Sequence, residues 1–308
     1  MLGRSKPWAG FVGIVWLAAA SWRPVNSSSL APAVEEPGCA IEQVALHTAD
    51  GVILDGITYQ PTASRRVTAI LLVHGFGGNF YSEYFPTLAR MAAKQGYATL
   101  ALNMRDHDGG PKVSDFADNE ADIAAGTAYL RSLGYSKLVL LGQSMGTNRV
   151  LYYQAVTSDP AIAATVLVSG PGNLFEWNVW QFGRPKAQAS VDEALALQAA
   201  GQEQQLMVIE LGPLGKALYT ARYLLSLRGP ASHSDPYQNV RKVTNRVLIL
   251  QGSADKLVEP GVARRLQQAA TVSAKAELIS MEGAGHSFRG REGELAQRVL
   301  EWLNQVTH

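Results

Sequence analysis

The sequence contains very little cysteine and no excess of charge of either sign. Cys39 is the only cysteine, which excludes an intramolecular disulfide framework and a multi-cysteine zinc site. Lys and Arg number 27 against 26 Asp and Glu, a formal net charge of +1. This balance excludes the broad positive surface that nucleic-acid binding requires. With 47% hydrophobic residues, the chain is expected to form one large globular domain stabilised by packing.

The chain also lacks an apolar run of the roughly 20 residues that a transmembrane helix needs. Arg4 and Lys6 precede a charge-free apolar stretch that ends on three alanines, an order typical of a signal peptide. We therefore predict a signal peptide over 1–20 and export to the periplasm or the medium. Tryptophans in this stretch leave an uncleaved N-terminal membrane anchor as the alternative. Residues 21–40, rich in Ser, Pro and Ala, are predicted to be a disordered tether, followed by the folded domain at 41–308.

Hydrophobic patterning predicts an α/β fold after an initial hairpin. Asp50 and Gly51 separate two apolar runs, which indicates two antiparallel strands joined by a turn. Further apolar runs are continuous rather than alternating, so both of their faces should be buried, as in a parallel sheet covered by helices. These runs lie at 69–73, 98–102, 138–141, 164–168, 247–250 and 278–279. Segments with helical spacing separate them, which predicts a doubly wound, mostly parallel sheet.

One interval is much longer than the roughly 12 to 20 residues that a crossover helix needs. It lies between the strand ending near Ser169 and the strand starting near Arg246, and we interpret it as a helical cap inserted at about 173–243. Helices are expected in it at 191–200 and 213–227. Four aromatic residues begin it: Phe175, Trp177, Trp180 and Phe182. We expect at least one of Trp177 and Trp180 to line an apolar pocket, which would favour uncharged ligands.

The string Gly-Gln-Ser-Met-Gly at 142–146 matches the Gly-x-Ser-x-Gly pattern. It follows a predicted strand and precedes a predicted helix, which is the setting of a strained nucleophile elbow. Ser144 is therefore the candidate nucleophile. The glycine-rich string at 74–78 ends another strand, and the backbone N–H groups of Phe76 and Met145 are candidates to stabilise an oxyanion.

A serine nucleophile needs a base and a group that orients the base. His286 follows Gly283, Ala284 and Gly285 on a loop between the last predicted strand and the last helix, and it is the candidate base. Asp255 lies just beyond the strand 247–250 and is the candidate acid. Glu259 is the nearby alternative.

These residues together resemble the α/β-hydrolase superfamily, on its serine esterase and lipase branch. The order Ser144, Asp255, His286 is the chain order of that superfamily, and H-G-F-G-G, G-S-A-D-K-L-V-E-P and G-A-G-H-S-F resemble its oxyanion, acid and histidine loops. Gln143 departs from the resemblance, because many members of this branch carry His there. The dehalogenase and epoxide hydrolase branches are excluded, because they place Asp at the position of Ser144.

The resemblance implies hydrolysis of small-molecule carboxylic esters through an acyl-enzyme, without metal or organic cofactor. An aminopeptidase or amidase with the same triad is the alternative, and a non-catalytic ligand-binding protein of this fold comes after it. Natural substrate, acyl-chain preference and oligomeric state stay open, because the same fold and triad serve many chemistries.

Overall fold

The computed structural model describes residues 27–307. The predicted signal peptide at 1–20, and the membrane anchor that is its alternative, lie outside the described residues. The strands are β1 Ser27–Ser29, β2 Val34–Glu36, β3 Cys39–His47, β4 Ile53–Pro61, β5 Thr68–Val73, β6 Ala98–Leu102, β7 Lys137–Gln143, β8 Ile162–Val168, β9 Leu206–Glu210, β10 Lys216–Thr220, β11 Arg246–Gly252 and β12 Ala276–Met281. The α-helices are α1 Phe85–Lys94, α2 Asn119–Ser132, α3 Met145–Thr157, α4 Leu174–Phe182, α5 Arg184–Ala199, α6 Ala221–Arg228, α7 Pro236–Val240, α8 Val262–Ala269 and α9 Glu292–Val306.

The main sheet is mostly parallel, as predicted. Its strands follow the order β1-β3-β4-β6-β5-β7-β8-β11-β12, and β2 also pairs with β3. The five neighbouring pairs from β6 to β12 are parallel, whereas β1 to β4 and the contact of β4 with β6 are antiparallel. The predicted hairpin is confirmed as β3 and β4, in full register across the Asp50–Gly51 turn.

Burial on both faces explains the continuous apolar runs. In β5, Leu71 and Val73 belong to one hydrophobic cluster, while Ile70 and Leu72 belong to the other, and all four are fully buried. Helices α1 and α9 cover one face of the sheet, and α2, α3 and α8 contribute to the cluster on the opposite face. The carboxyl ends of the parallel strands therefore share one edge, where ligands bind in such sheets.

The prediction of a disordered tether at 21–40 is wrong for its described part. Residues 27–29 and 34–36 form β1 and β2, which pair antiparallel with β3. Backbone groups of an outer strand can pair with an added strand whatever its side chains are, so the polar composition did not reveal this pairing. An ion pair between Glu36 and Arg90 of α1, with Oε2 and Nε 2.7 Å apart, attaches β2 to the body.

The segment at 173–243, which we call the cap, contains α4 to α7 and the two-stranded antiparallel sheet of β9 and β10. An α-helix is found at 221–228, whereas 212–214 form a single 3₁₀ turn and 216–220 form β10, so the expected helix over 213–227 is wrong in its first part. Burial alternates along β9, which is a strand pattern, and Gly212 and Gly215 turn the chain with positive φ. None of the helices within 27–307 is long and apolar enough to cross a membrane.

Candidate active site

Ser144 lies on a strained turn between β7 and α3. Its φ of 52° and ψ of −124° are outside the regions that most residues adopt. Backbone strain of this kind is found mainly at functional sites. Both flanking glycines are required by close backbone contacts. A Cβ on Gly142 would lie 2.4 Å from the carbonyl oxygen of Gly146, and a Cβ on Gly146 would lie 2.2 Å from that of Val73. The predicted elbow geometry is therefore present.

The three predicted triad side chains lie together, although they are far apart in sequence. The Nε2 atom of His286 is 3.0 Å from Oγ of Ser144, and its Nδ1 is 2.8 Å from Oδ2 of Asp255. When Nδ1–H donates to the carboxylate, Nε2 of the neutral ring is free to accept the hydroxyl proton of Ser144. The arrangement can therefore generate a nucleophilic alkoxide.

The Asp255 carboxylate is nearly fully buried, with a side-chain exposure of 2%. Burial raises the pKa of Asp255. The hydrogen bond and the charge interaction with His286 lower it, as do the hydrogen bonds from Leu257 N–H and Gln251. These lowering effects outweigh burial, so the pKa is below its usual value. Leu257 N–H donates to Oδ1 at 2.8 Å, and Gln251 Nε2 donates to Oδ2 at 2.8 Å. Asp255 is thus held as an anion that faces His286.

Glu259, the alternative acid, lies outside this arrangement. Its carboxylate forms an ion pair with Arg265 of α8, where both side chains are about half exposed. It makes no hydrogen bond with His286 in the described part of the chain. Position and contacts therefore both favour Asp255.

The histidine and acid loops are fixed to each other by backbone contacts. Ala254 N–H donates to the carbonyl of Ala284 at 2.9 Å, and the hydroxyl of Ser169 donates to the carbonyl of His286 at 2.9 Å. A Cβ on Gly252 would lie 2.2 Å from the Ala284 oxygen, so only glycine permits this approach. The loop that carries His286 is consequently held by residues that lie just after β8 and β11.

The two candidate oxyanion donors lie at the ends of β5 and β7. Met145 begins α3, so its N–H has no acceptor within the helix. Phe76 follows β5 in a turn, and within residues 27–307 its N–H has no backbone acceptor. The neighbouring Gly75 N–H is occupied instead, because it donates to Oε1 of Gln143 at 3.1 Å. This geometry leaves the N–H groups of Phe76 and Met145 available to an oxyanion.

His74 holds the oxyanion loop rather than acting as a base. Its Nδ1 lies 2.7 Å from the carbonyl of Gly75, and its Nε2 accepts from the N–H of Met104 at 3.0 Å. Full burial, and secondarily the charge of Arg149, lower its pKa to about 3. The ring is therefore neutral at neutral pH. The other histidine of this region, His107, has its Nδ1 2.7 Å from the carboxylate of Asp108.

Beneath the loop lies a buried ion pair that the sequence did not indicate. Arg149 of α3 donates to both carboxylate oxygens of Asp106 at 2.6 and 2.7 Å and to the carbonyl of His74 at 3.1 Å. Tyr223 of α6 donates to the same carboxylate at 2.7 Å. The network joins the helix after Ser144, the oxyanion loop and the cap. No sequence pattern marks these partners, because they come from distant segments.

A pocket opens onto Ser144 and His286 between the cap and the strand ends. Its walls are mainly apolar, with Tyr219 and Arg228 as polar members. The lining residues are Phe76, Ser144, Met145, Pro171, Leu174, Trp177, Leu211, Leu214, Tyr219, Arg228, Leu257, Val258 and His286. Arg228 and Tyr219 were not predicted to line the pocket. The sequence predicted one helix at 213–227, whereas Tyr219 lies in β10 and Arg228 ends α6, so the direction of their side chains could not be predicted.

Of the two tryptophans expected at the pocket, Trp177 lines it and Trp180 does not. Helix α4 buries Leu174, Trp177 and Asn178 on one side. Trp180 lies outside that stripe and is 39% exposed, so its assignment to the pocket is corrected. The indole Nε1–H of Trp177 donates to the carbonyl of Leu257 at 2.7 Å, which connects the cap to the loop of Asp255.

No group of three or more His, Cys, Asp or Glu side chains suited to a metal ion occurs within residues 27–307. The expectation that no cofactor is needed stays a prediction.

The profile of the alpha/beta hydrolase family matches residues 70–298. Curated proteins give no match. Among solved structures, the esterase domain of a Rhodothermus marinus protein is similar with a TM-score of 0.61 and 19% identity, covering 87% of this chain and 99% of that one. A Pyrococcus furiosus esterase, Pf2001, has a TM-score of 0.63 and 17% identity, covering 93% of this chain and 99% of that one. Est1E from Butyrivibrio proteoclasticus has a TM-score of 0.61 and 17% identity, covering 85% of this chain and 98% of that one. At these identities the structural likeness shows a shared fold.

Proposed function

The chain belongs to the alpha/beta hydrolase family, and from this premise we propose that it is a serine hydrolase that cleaves small carboxylic esters through an acyl-enzyme intermediate. The observation that carries the proposal is the position of His286, within hydrogen-bond distance of both Ser144 at 3.0 Å and Asp255 at 2.8 Å. A nucleophile, a base and an orienting carboxylate in contact are the minimum that this chemistry requires.

In the first half-reaction, Nε2 of His286 takes the Ser144 hydroxyl proton while Oγ attacks the ester carbonyl carbon. The N–H groups of Phe76 and Met145 stabilise the negative oxygen that forms, and the buried Asp255 carboxylate stabilises the imidazolium. Collapse of the tetrahedral intermediate breaks the bond to the alkoxy oxygen, which receives the proton from His286 and leaves as the alcohol. The acyl group is then bound to Oγ of Ser144.

In the second half-reaction, His286 removes a proton from water, which attacks the acyl carbonyl. The new tetrahedral intermediate collapses by breaking the bond between the acyl carbon and Oγ of Ser144, Oγ receives the proton from His286, and the carboxylic acid is released. Esters are the proposed substrates because structurally similar proteins carry the name esterase, and because the mainly apolar pocket fits a small organic group.

A combined labelling and turnover experiment tests the proposal. Wild-type protein should react with a fluorophosphonate probe and hydrolyse aryl esters. Ser144→Ala should not be labelled, and its turnover rate should be lower than that of wild type by a factor of about 10⁴ to 10⁶. Ser190→Ala is the matched control, because Ser190 lies on the cap helix α5 and outside the pocket lining. Turnover of aminoacyl anilides but not of esters would assign an amidase. Ligand binding without labelling or turnover would assign a non-catalytic protein.

A further inference from the structure

The polar residue Arg228 lines the pocket of Ser144 and is buried without a counter-charge. It is the last residue of α6 and is only 7% exposed. Its Nε and Nη1 atoms are inaccessible and have no hydrogen-bond acceptor among residues 27–307. In the same part of the chain it forms no ion pair with a carboxylate.

The other buried cations of this region have a carboxylate or several carbonyl acceptors, although Nε of Arg149 also lacks a partner within residues 27–307. Arg149 binds both oxygens of Asp106 and a backbone carbonyl. Lys112 is 1% exposed, and its ammonium group donates to the carbonyls of Asp106, His107 and Asp108. Arg228 has a side-chain hydrogen bond with Tyr219, which is uncharged, but no carboxylate partner among residues 27–307. Burying a cation without a counter-charge is unfavourable, so Arg228 stands out as a group that can accept an anion from the pocket.

A purely structural role at the end of α6 does not account for Arg228. Basic side chains often bind the last carbonyls of a helix. Here the carbonyls of Ser226 and Leu227 accept from the hydroxyls of Ser232 and Ser234, at 2.7 and 2.6 Å. The carbonyl of Leu225 accepts from the N–H of Gly229. The guanidinium makes none of these contacts.

Aromatic contacts connect the Arg228 guanidinium, through the Tyr219 ring, to Phe76, which carries one candidate oxyanion donor. The Arg228 Cζ atom is 5.6 Å from the ring centroid of Tyr219, and the Tyr219 ring packs edge to face on Phe76, with centroids 5.9 Å apart. Arg228, Tyr219, Phe76 and Ser144 all line the same pocket. A molecule that reacts at Ser144 therefore lies within the space that Arg228 borders.

We propose that Arg228 binds a carboxylate of the substrate, so that the preferred substrates are esters that carry a second, anionic carboxylate group. The inference rests on the proposed function and names the substrate class of the same site. A carboxylate supplies acceptor oxygens for the guanidinium N–H groups and the one compensating charge that the arginine lacks. A phosphate dianion would bring a second charge, for which the pocket has no further free cation within the described residues. A substrate of this class differs from the uncharged ligands that the aromatic residues of the cap lead one to expect, and the charge preference decides between the two.

Paired esters test the inference in wild type, Arg228→Met and Arg222→Met. The 4-nitrophenyl monoester of glutaric acid and that of glutaramic acid differ in charge on the acyl side, whereas 4-acetoxybenzoate and 4-acetoxybenzamide differ on the alcohol side. We expect wild type to favour the anionic member of at least one pair by tenfold or more in kcat/KM. Arg228→Met should lower kcat/KM for that ester by a factor on the order of 10², mainly through KM, and leave the neutral ester within about threefold.

Arg222→Met is the control, because Arg222 lies on the same helix but its side chain is 46% exposed and outside this pocket. It should keep the wild-type charge preference. Arg228→Lys should retain part of that preference. The melting temperature of Arg228→Met should equal or exceed that of wild type, since a buried unpaired charge is removed; a large decrease would point to a structural role.

Hydrolysis of both members of each pair at equal rates, unchanged in Arg228→Met, would overturn the inference and leave the proposed function intact. If wild type hydrolyses no ester, the proposed function fails, and calorimetry decides the inference separately. In that case monomethyl glutarate is titrated into Ser144→Ala protein and into the double variant Ser144→Ala, Arg228→Met. Binding to the first protein but not to the second supports a carboxylate site. Absence of binding overturns it.

Discussion

The side-chain carbonyl of Gln143 accepts a hydrogen bond from the backbone N–H of Gly75 at 3.1 Å, which connects the residue before the nucleophile to the oxyanion loop. Gln143 is 5% exposed, so water does not readily replace this contact. A Cβ on Gly75 would lie 2.6 Å from the same Oε1 atom, which shows how closely the two segments approach. The position that departs from the family resemblance therefore has a structural role beside the triad.

Removing this acceptor should impair catalysis more than substrate binding. Gln143→Ala leaves the Gly75 N–H buried and unpaired, a loss of about 1 to 3 kcal/mol, and frees the loop that carries Phe76. We expect kcat to fall by about tenfold or more with a small change in KM, measured on the best ester substrate. Gln154→Ala is the control, because Gln154 is a buried glutamine of α3 whose Nε2 has no partner within residues 27–307. Equal losses in both variants would argue for a general stability effect.

The two candidate acids should differ sharply in their contribution to turnover. Asp255→Asn removes the charge that orients His286 and stabilises its protonated form, so kcat should fall by roughly 10³ to 10⁴. Glu259→Gln removes only an exposed ion pair with Arg265 and should change kcat by less than about tenfold. Steady-state kinetics on one ester with both variants provides the measurement. The reverse ranking would transfer the orienting role to Glu259.

Much of the sheet, and the grouping of the three triad candidates at one edge of it, could be predicted because the signals are local. Continuous apolar runs marked β5 and β7, and Gly142 and Gly146 are required wherever the elbow meets the backbone of β5. The β1 and β2 pairing was missed because backbone pairing at an outer strand leaves no side-chain pattern. The β9 and β10 hairpin was missed because its short alternating segments resemble helix in composition.

The distant contacts of the pocket could not be predicted for a different reason. Arg228, Tyr219 and the Asp106–Arg149 pair are brought to the site by packing of the cap on the body. Nothing in the neighbouring sequence of Arg228 distinguishes it from an exposed arginine at a helix end. Only the structure shows that Arg228 is buried and that it has no carboxylate partner within residues 27–307.

The two cap tryptophans should behave differently when they are changed. Trp177 is 7% exposed, lines the pocket and donates to Leu257, so Trp177→Ala should alter KM for bulky esters more than for acetates. A lower melting temperature is also expected, because a buried ring contributes about 3 to 5 kcal/mol to stability. Trp177→Phe should retain most of the apolar wall but lose the hydrogen bond. Trp180→Ala should leave both KM and melting temperature close to wild type; a similar loss would show that α4 acts as one unit.

Buried His74 should make the protein less stable in acid. Its pKa is lowered to about 3 in the folded state by burial, whereas the ordinary value is 6.5. The unfolded chain therefore binds a proton below about pH 6.5 that the folded protein does not bind until about pH 3. The stabilisation from the neutral ring is fully present above pH 6.5 and is lost progressively as the pH falls through this window, by about 1.4 kcal/mol per pH unit.

Replacing His74 with a residue that does not titrate isolates this contribution from that of the carboxylates. His74→Gln keeps an acceptor for the Met104 N–H, so the variant is expected to fold with reduced stability at pH 7. The free energy of unfolding in urea should fall less steeply with decreasing pH in this variant than in wild type. Between about pH 6.5 and pH 4 the difference between the two proteins should shrink by on the order of 3 kcal/mol. His107→Gln, which removes a partly exposed histidine that contacts Asp108, is the matched control for loss of a histidine. Parallel curves for wild type and His74→Gln across this range would mean that the ring gains a proton in the folded state, and that the oxyanion loop adjusts to accommodate the charge.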